Sequence, residues 1–126
     1  IPKNCFANDE ALQSVVIGDG VETLGQDCFV NCVSLSDVDM GKNVKVIEFG
    51  AFCGSGLENI ELNDGLESIK ALAFGTMDIV IPDSVSYIAE GAFNYKSVFH
   101  TKEGSYVEKW VSEQDQSFEF EVVYEE

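Results

Sequence analysis

The sequence predicts a solenoid. Short parallel β-strands should line one face, irregular or briefly helical returns the other, and a helix plus strand should close the C-terminal end. Three observations carry this expectation. One phrase recurs along the chain, as in GVETLGQDCF at 20–29, GLESIKALAF at 65–74 and SVSYIAEGAF at 84–93. An apolar pair spaced two residues apart stands before each copy. After residue 100 both patterns stop and a different one begins.

The phrase sets the frame. Phe6, Phe29, Phe52, Phe74 and Phe93 recur at spacings of 23, 23, 22 and 19, each preceded by a small residue: Cys5, Cys28, Ala51, Ala73 and Ala92. Five residues ahead of each Phe stands an aliphatic one, Ile1, Leu24, Ile47, Ile69 and Ile88. Repeats of this length stack as coils, because one repeat alone cannot bury its apolar face. The pairs Val15/Ile17, Val38/Met40, Ile60/Leu62, Ile79/Ile81 and Val98/His100 alternate with period two. Each is therefore read as a short strand with one side inward. Between strand and phrase sit GDG, GKN, NDG and PDS at one phase, residues that tolerate a tight turn. The connection from Phe to the next strand varies in length. FANDEALQS and FVNCVSLSD have room for a helical turn with Leu12 and Leu35 inward, whereas FGTMD and FNYKS do not.

Residues 101–126 follow other rules. SYVE at 105–108 has the form of a capping box, and Val107, Trp110 and Val111 then make one helical face. In SFEFEVVY, Phe118, Phe120, Val122 and Tyr124 alternate with Glu119 and Glu121, which reads as a strand. The expected organisation is a solenoid of five coils over 1–100, the first incomplete, and a C-terminal cap over 101–126. An open stack requires such a cap. At its other end the incomplete first coil leaves an apolar edge, for which we expect self-association or preceding coils.

Composition excludes several functions. The 126 residues carry 7 basic and 23 acidic side chains, a net charge of −16. Nucleic acid and anionic membrane surfaces would repel such a chain, whereas a basic protein, or a cation, would not. No apolar run approaches the roughly 18 residues of a membrane helix. The chain opens at Ile1 without a signal-like segment, so any targeting sequence would have been removed ahead of it.

The runs CFVNCVSLSDVDM and GAFCGSGLENIEL, and the GSYVEKWV ending, resemble the BspA-type leucine-rich-repeat family. The resemblance covers residues 1 to about 100 and implies a leucine-rich-repeat solenoid. It implies an extracellular or cell-surface bacterial module for adhesion or protein binding, without catalytic residues or cofactors. The coils of 19 residues and the charge depart from a uniform array.

If Val38 and Met40 point inward, Asp37 and Asp39 point outward, and the same phase exposes Val16, Asn59, Glu61, Asp78, Val80 and Phe99. Parallel neighbours stand about 4.8 Å apart, so these side chains form one patch across adjoining coils. It is read as a candidate partner-binding face, acidic at its centre, with a solvated acidic surface as the plain alternative. Calcium has oxygen ligands there but no D-x-D-x-D-G loop. Cys5 and Cys28 share the slot of the later alanines and read as buried and unpaired. No C-x-x-C spacing or nearby His makes a metal site or a Cys nucleophile. His100 falls in an inward slot at the last coil and reads as structural, partly covered by the cap. Without a nucleophile and base in reach, an enzyme is not expected. A stalk without a ligand of its own is the alternative to a binder.

Overall fold

A computed structural model describes residues 1–125. The chain winds as a parallel-strand solenoid of about five turns, with one short helix and a final strand at the C-terminal end. Each turn has three straight edges, and each edge builds its own ladder of hydrogen bonds with the next turn.

The first ladder contains the expected strands. β1 (Ser14–Val16) pairs parallel with β3 (Asp37–Asp39), with Val15 beside Val38. The third turn contributes only a bridge from Glu61 to Asp39. β6 (Asp78–Val80) and β8 (Val98–Thr101) then pair parallel, and β9 (Glu121–Tyr124) adds to β8 as a further parallel strand. Inward positions bury Val38, Ile60 and Ile79, and two residues on Ile17, Met40, Leu62 and Ile81, whereas the intervening residues are exposed.

A second ladder lies inside the recurring phrase. β2 (Thr23–Leu24), β4 (Val46–Ile47), β5 (Ser68–Ile69) and β7 (Tyr87–Ile88) run parallel in that order. The aliphatic residue five before each Phe is thus the inward residue of a two-residue strand, and Leu24, Ile47, Ile69 and Ile88 are all buried. Ile1 joins this row, its ammonium donating to the Thr23 carbonyl at 2.7 Å and its own carbonyl accepting from Gly25 N–H at 2.8 Å.

The third ladder runs along the Phe corner. The N–H of Phe6 donates to Cys28, of Phe29 to Ala51, of Phe52 to Ala73 and of Phe74 to Ala92, at 2.8 to 3.0 Å. This repetition holds the five rings in a column with centroids 5.3 to 5.4 Å apart and planes within 12° of parallel. Rings spaced further apart than the rise of about 4.8 Å between coils are offset, the arrangement that the aromatic quadrupole favours. Each ring inside the column leaves water almost completely, which stabilises the fold by roughly 1.5–3 kcal/mol per side chain.

Backbone handedness turns this corner. Asn4, Asp27, Gly50, Leu72 and Gly91, each two residues before its Phe, all have φ between 55° and 79°. Asn8, Asn31 and Gly54, two residues after theirs, do the same. Asn, Asp and Gly tolerate this region; Leu72 does not. At Gly54 a side chain would also collide with the Asn31 amide, which the neighbouring coil accommodates by hydrogen bonding Asn31 Nδ2 to Asn8 Oδ1 at 3.1 Å. The left-handed residues after Phe interrupt the helical turn expected in the first returns, which form turns instead. Leu35 is nonetheless buried and Leu12 half-buried.

The C-terminal segment closes the column. Helix α1 (Tyr106–Ser112) starts at Ser105, whose side chain accepts from Glu108 N–H, while the Glu108 carboxylate accepts from Gly104 N–H. Val107 and Trp110 are buried and Val111 is half-buried. Trp110 meets Phe93 edge-on and lies nearly parallel to Phe120, so an aromatic cluster caps the last ring. The final strand is shorter than its alternation suggested. Gln116–Phe118 forms a 3-10 turn, and Glu119 at φ 54° breaks the extended run before β9 begins.

Two inward assignments are corrected. Cys28 is fully buried as expected, but Cys5, in the first coil described, is exposed. The last strand is out of phase by one: Phe99 pairs in register with Ile79 and is 0% exposed, while His100 aligns with the outward Val80. One extra residue enters the FNYKS connection, where Lys96 takes a left-handed backbone at φ 63°. Ser97 is then buried, its hydroxyl accepting from Met77 N–H at 3.0 Å and donating to the Asn94 carbonyl at 2.9 Å.

Candidate functional site

The outward side of the first ladder carries the chemistry. Its register can be followed strand by strand. The Asp39–Glu61 bridge sets Asp37 beside Asn59, and the bond from Asp78 N–H to the Glu58 carbonyl, 2.9 Å, sets Asn59 beside Asp78. Asp78 in turn faces Val98, and Val80 faces His100. One outward row therefore reads Ser14, Asp37, Asn59, Asp78, Val98, Glu121. The other reads Val16, Asp39, Glu61, Val80, His100, Val123.

Of the residues expected on this face, Val16, Asp37, Asp39, Asn59, Glu61, Asp78 and Val80 are exposed, Val16 by 80% and Val80 by 56%. Phe99 is not part of it. The strand geometry brings the carboxylates of Asp39 and Glu61 onto adjacent coils, about 4.8 Å apart along the backbone. Among the described residues no Lys or Arg occupies an outward strand position in either row.

The face is not flat. The third turn forms a single bridge rather than a strand, so a shallow depression lies on each side of it. One, about 560 Å³, runs over Asp37, Asp39, Glu61 and Asp64. The other, about 620 Å³, runs from Glu61 past Asp78 and Val80 to His100 and Glu125. Both are open to solvent, and both are walled by carboxylates and by the edges of buried aliphatic side chains.

With Phe99 and Cys5, His100 is among the residues that sequence reasoning placed wrongly. Its Nε2 lies 2.5 Å from Asp78 Oδ1 and its Nδ1 2.9 Å from Glu125 Oε1. The hydrogen bond to Asp78 raises the imidazole pKa above its ordinary value; partial burial works against this, and the charge of Asp78 and the contact with Glu125 add to it. The signal was present in SVFHT. Phe99 is far more apolar than His100, and a strand that must bury one of the two buries Phe.

Cys28 and Cys32 have the character of packing groups. Burial pushes Cys28 up to about 12 and raises Cys32 as well. Cys32 Sγ donates to the Phe6 carbonyl across the coil interface at 3.1 Å. Neutral, buried thiols are poor nucleophiles and poor metal ligands. Among the described residues no three His, Cys, Asp or Glu side chains converge on a point that a metal ion could occupy.

A family model for the BspA type leucine-rich repeat region matches in six copies across residues 1–114. No curated protein and no solved structure matches the chain.

Proposed function

Since the chain belongs to the BspA-type leucine-rich-repeat family, we propose that it is a non-catalytic protein-binding or adhesion module that engages its partner through the acidic strand face. The fold is of a kind that typically serves as a scaffold, and the family points to a repeat module of the protein-binding or adhesion type. Surface association in bacteria is typical of that family, and an extracellular or cell-surface site of action is the location we propose. Among the described residues no helix is long and apolar enough to cross a membrane.

One observation carries the choice of face. Asp37, Asp39 and Glu61 project in register from adjoining coils with no Lys or Arg interleaved among the described residues, and of this acidic row only Asp78 meets a cationic partner, His100. Unrelieved like charge on an ordered surface favours a partner that brings cations, and a ladder lets those cations be spaced by the coil rise. A basic protein segment is the occupant this chemistry selects. The flanking Val16 and Val80 would give it apolar contact at the two margins. The test is capture of extracellular host proteins on the immobilised domain, followed by kinetics with a captured partner. Asp39→Asn combined with Glu61→Gln should lower the association rate, and the loss should shrink as salt is raised. Unchanged affinity and salt dependence in that double variant would move binding off this face.

The second reading is a stalk or spacer belonging to a longer array. It is favoured by the N-terminal edge, where Phe6 heads the ring column yet stays 40% exposed. Another coil or a second copy of the chain would cover it. Mass measurement across concentration separates these two occupants, since only the second copy makes the mass concentration-dependent.

A further inference from the structure

We propose that His100 is a pH-responsive latch: protonated, its ring clamps the end of the cap strand to the acidic face, and deprotonated, it lets Glu125 go. The latch is built from three successive strands of one ladder. His100 on β8 stands in register between Val80 on β6 and Val123 on β9. The two carboxylates that reach its ring come from the diagonal positions, Asp78 two residues before Val80 and Glu125 two residues after Val123.

The donor count decides the protonation state. A carboxylate only accepts hydrogen bonds, so each ring nitrogen must donate to hold its partner. Neutral imidazole has one N–H and imidazolium has two. The observed arrangement, with a carboxylate oxygen against each nitrogen, is satisfied by the imidazolium alone. Loss of the proton sets a ring lone pair against an anionic oxygen. The shorter contact is the one to Asp78, so the remaining proton stays on Nε2 and the Glu125 contact is the one that opens.

The surroundings reinforce this. β6 presents Asp78 to the ring and β9 presents Glu125, while Glu121 lies at the far end of β9 beside Val98. From the third coil Glu61 and Asp64 line the same depression. No Lys lines it among the described residues; Lys102 is held at Asp83, 3.6 Å away. The hydrogen bond to Asp78, helped by the charge of Asp78 and the contact with Glu125, raises the ring pKa against the effect of partial burial. Its folded value lies above the unfolded value of about 6.5, so the latch contributes in full below that value and is lost as pH rises through the folded one.

Ring resonances of the single histidine in the whole chain test the idea, read together with amide protection, corrected for intrinsic exchange, of Glu125, whose N–H donates to the Thr101 carbonyl at 2.7 Å, and of Val123, which points its N–H the same way. The ring should titrate above the free value, and both Asp78→Asn and Glu125→Gln should bring it down. Protection of these amides should fall across the same titration, by at most a factor of about ten for each pH unit by which the ring is measured to titrate above the free value. His100→Gln should abolish that step. Should His100→Gln perturb folding, Glu125→Gln, which alters an exposed carboxylate, must abolish it instead. A ring that titrates at or below the free value, or a step that survives in Glu125→Gln, would overturn the latch.

Discussion

The phenolic oxygen of Tyr106 accepts a hydrogen bond from the backbone N–H of Ile88 at 3.0 Å. Ile88 lies on β7, the last strand of the second ladder, where no further coil supplies a carbonyl. The cap thus closes the two ladders by different means, with a strand for the first and a single side chain for the second. Tyr106→Phe should leave this donor without its partner and cost about 1 kcal/mol. The measurement is the denaturation midpoint at constant m-value, and an unchanged midpoint would mean that water replaces the phenol without loss.

Leu72 sits in left-handed backbone at a position where other coils have Asn, Asp or Gly. It is 47% exposed, so little packing holds it there. Leu72→Asn should raise stability by roughly 0.5 kcal/mol, a part of the 1–2 kcal/mol that left-handed backbone costs an L-residue. Leu72→Ala keeps the Cβ conflict and should give no such gain. Thermal unfolding of the pair separates relief of backbone strain from loss of side-chain contact.

Thiol labelling should divide the cysteines by their environment. Cys5 is exposed and should react in the native protein, whereas Cys28 and Cys32 should react only after unfolding. Cys28→Ala should be mild, about 1 kcal/mol or less, because three other coils already hold Ala at that slot. Rapid native labelling of Cys28 would show that the coil interface opens far more often than its burial implies.

Neutralising Asp39 and Glu61 should also affect the free domain. Their bridged backbones hold two like charges on neighbouring coils. Asp39→Asn with Glu61→Gln should therefore stabilise the unliganded protein by a few tenths of a kcal/mol at low salt, and by less at high salt. The Gly41 N–H donates to Asp39 Oδ1 at 3.0 Å, and the amide introduced by Asp39→Asn keeps an oxygen that can accept it. A loss of stability in the double variant would mean that the carboxylates are held by contacts other than their charge.

The features legible in the sequence are those that burial repeats. Phe29, Phe52, Phe74 and Phe93 mark one corner because each must lie against the next, and the outward phase of Asp37, Asp39, Glu61 and Asp78 follows from the inward phase of their neighbours. Two-residue strands such as Ser68–Ile69 carry no alternation, so periodicity does not reveal the second ladder. The phase of β8 is legible from the contrast between Phe99 and His100, but not from counting along the repeat. Counting from Phe93 passes through a connection of variable length, and the one residue absorbed at Lys96 turns Phe99 inward and His100 outward. Glu119 likewise shortens the last strand through a backbone conformation that its side chain does not announce. The latch depends on Glu125 and His100 meeting across 25 positions of chain, a proximity set by the parallel register of β8 and β9.

The lone bridge at the third turn has a mechanical consequence. The second ladder is continuous from β2 to β7, and the ring column runs alongside it without a gap, so these two edges act as a spine. On the remaining edge the strands on either side of Glu61 are joined by far fewer bonds. Tension applied along the solenoid axis should therefore part the coils like the pages of a book, opening first at the third turn and fanning the carboxylates apart while the spine stays bound. A pulling experiment would register that opening as a small extension ahead of the main rupture.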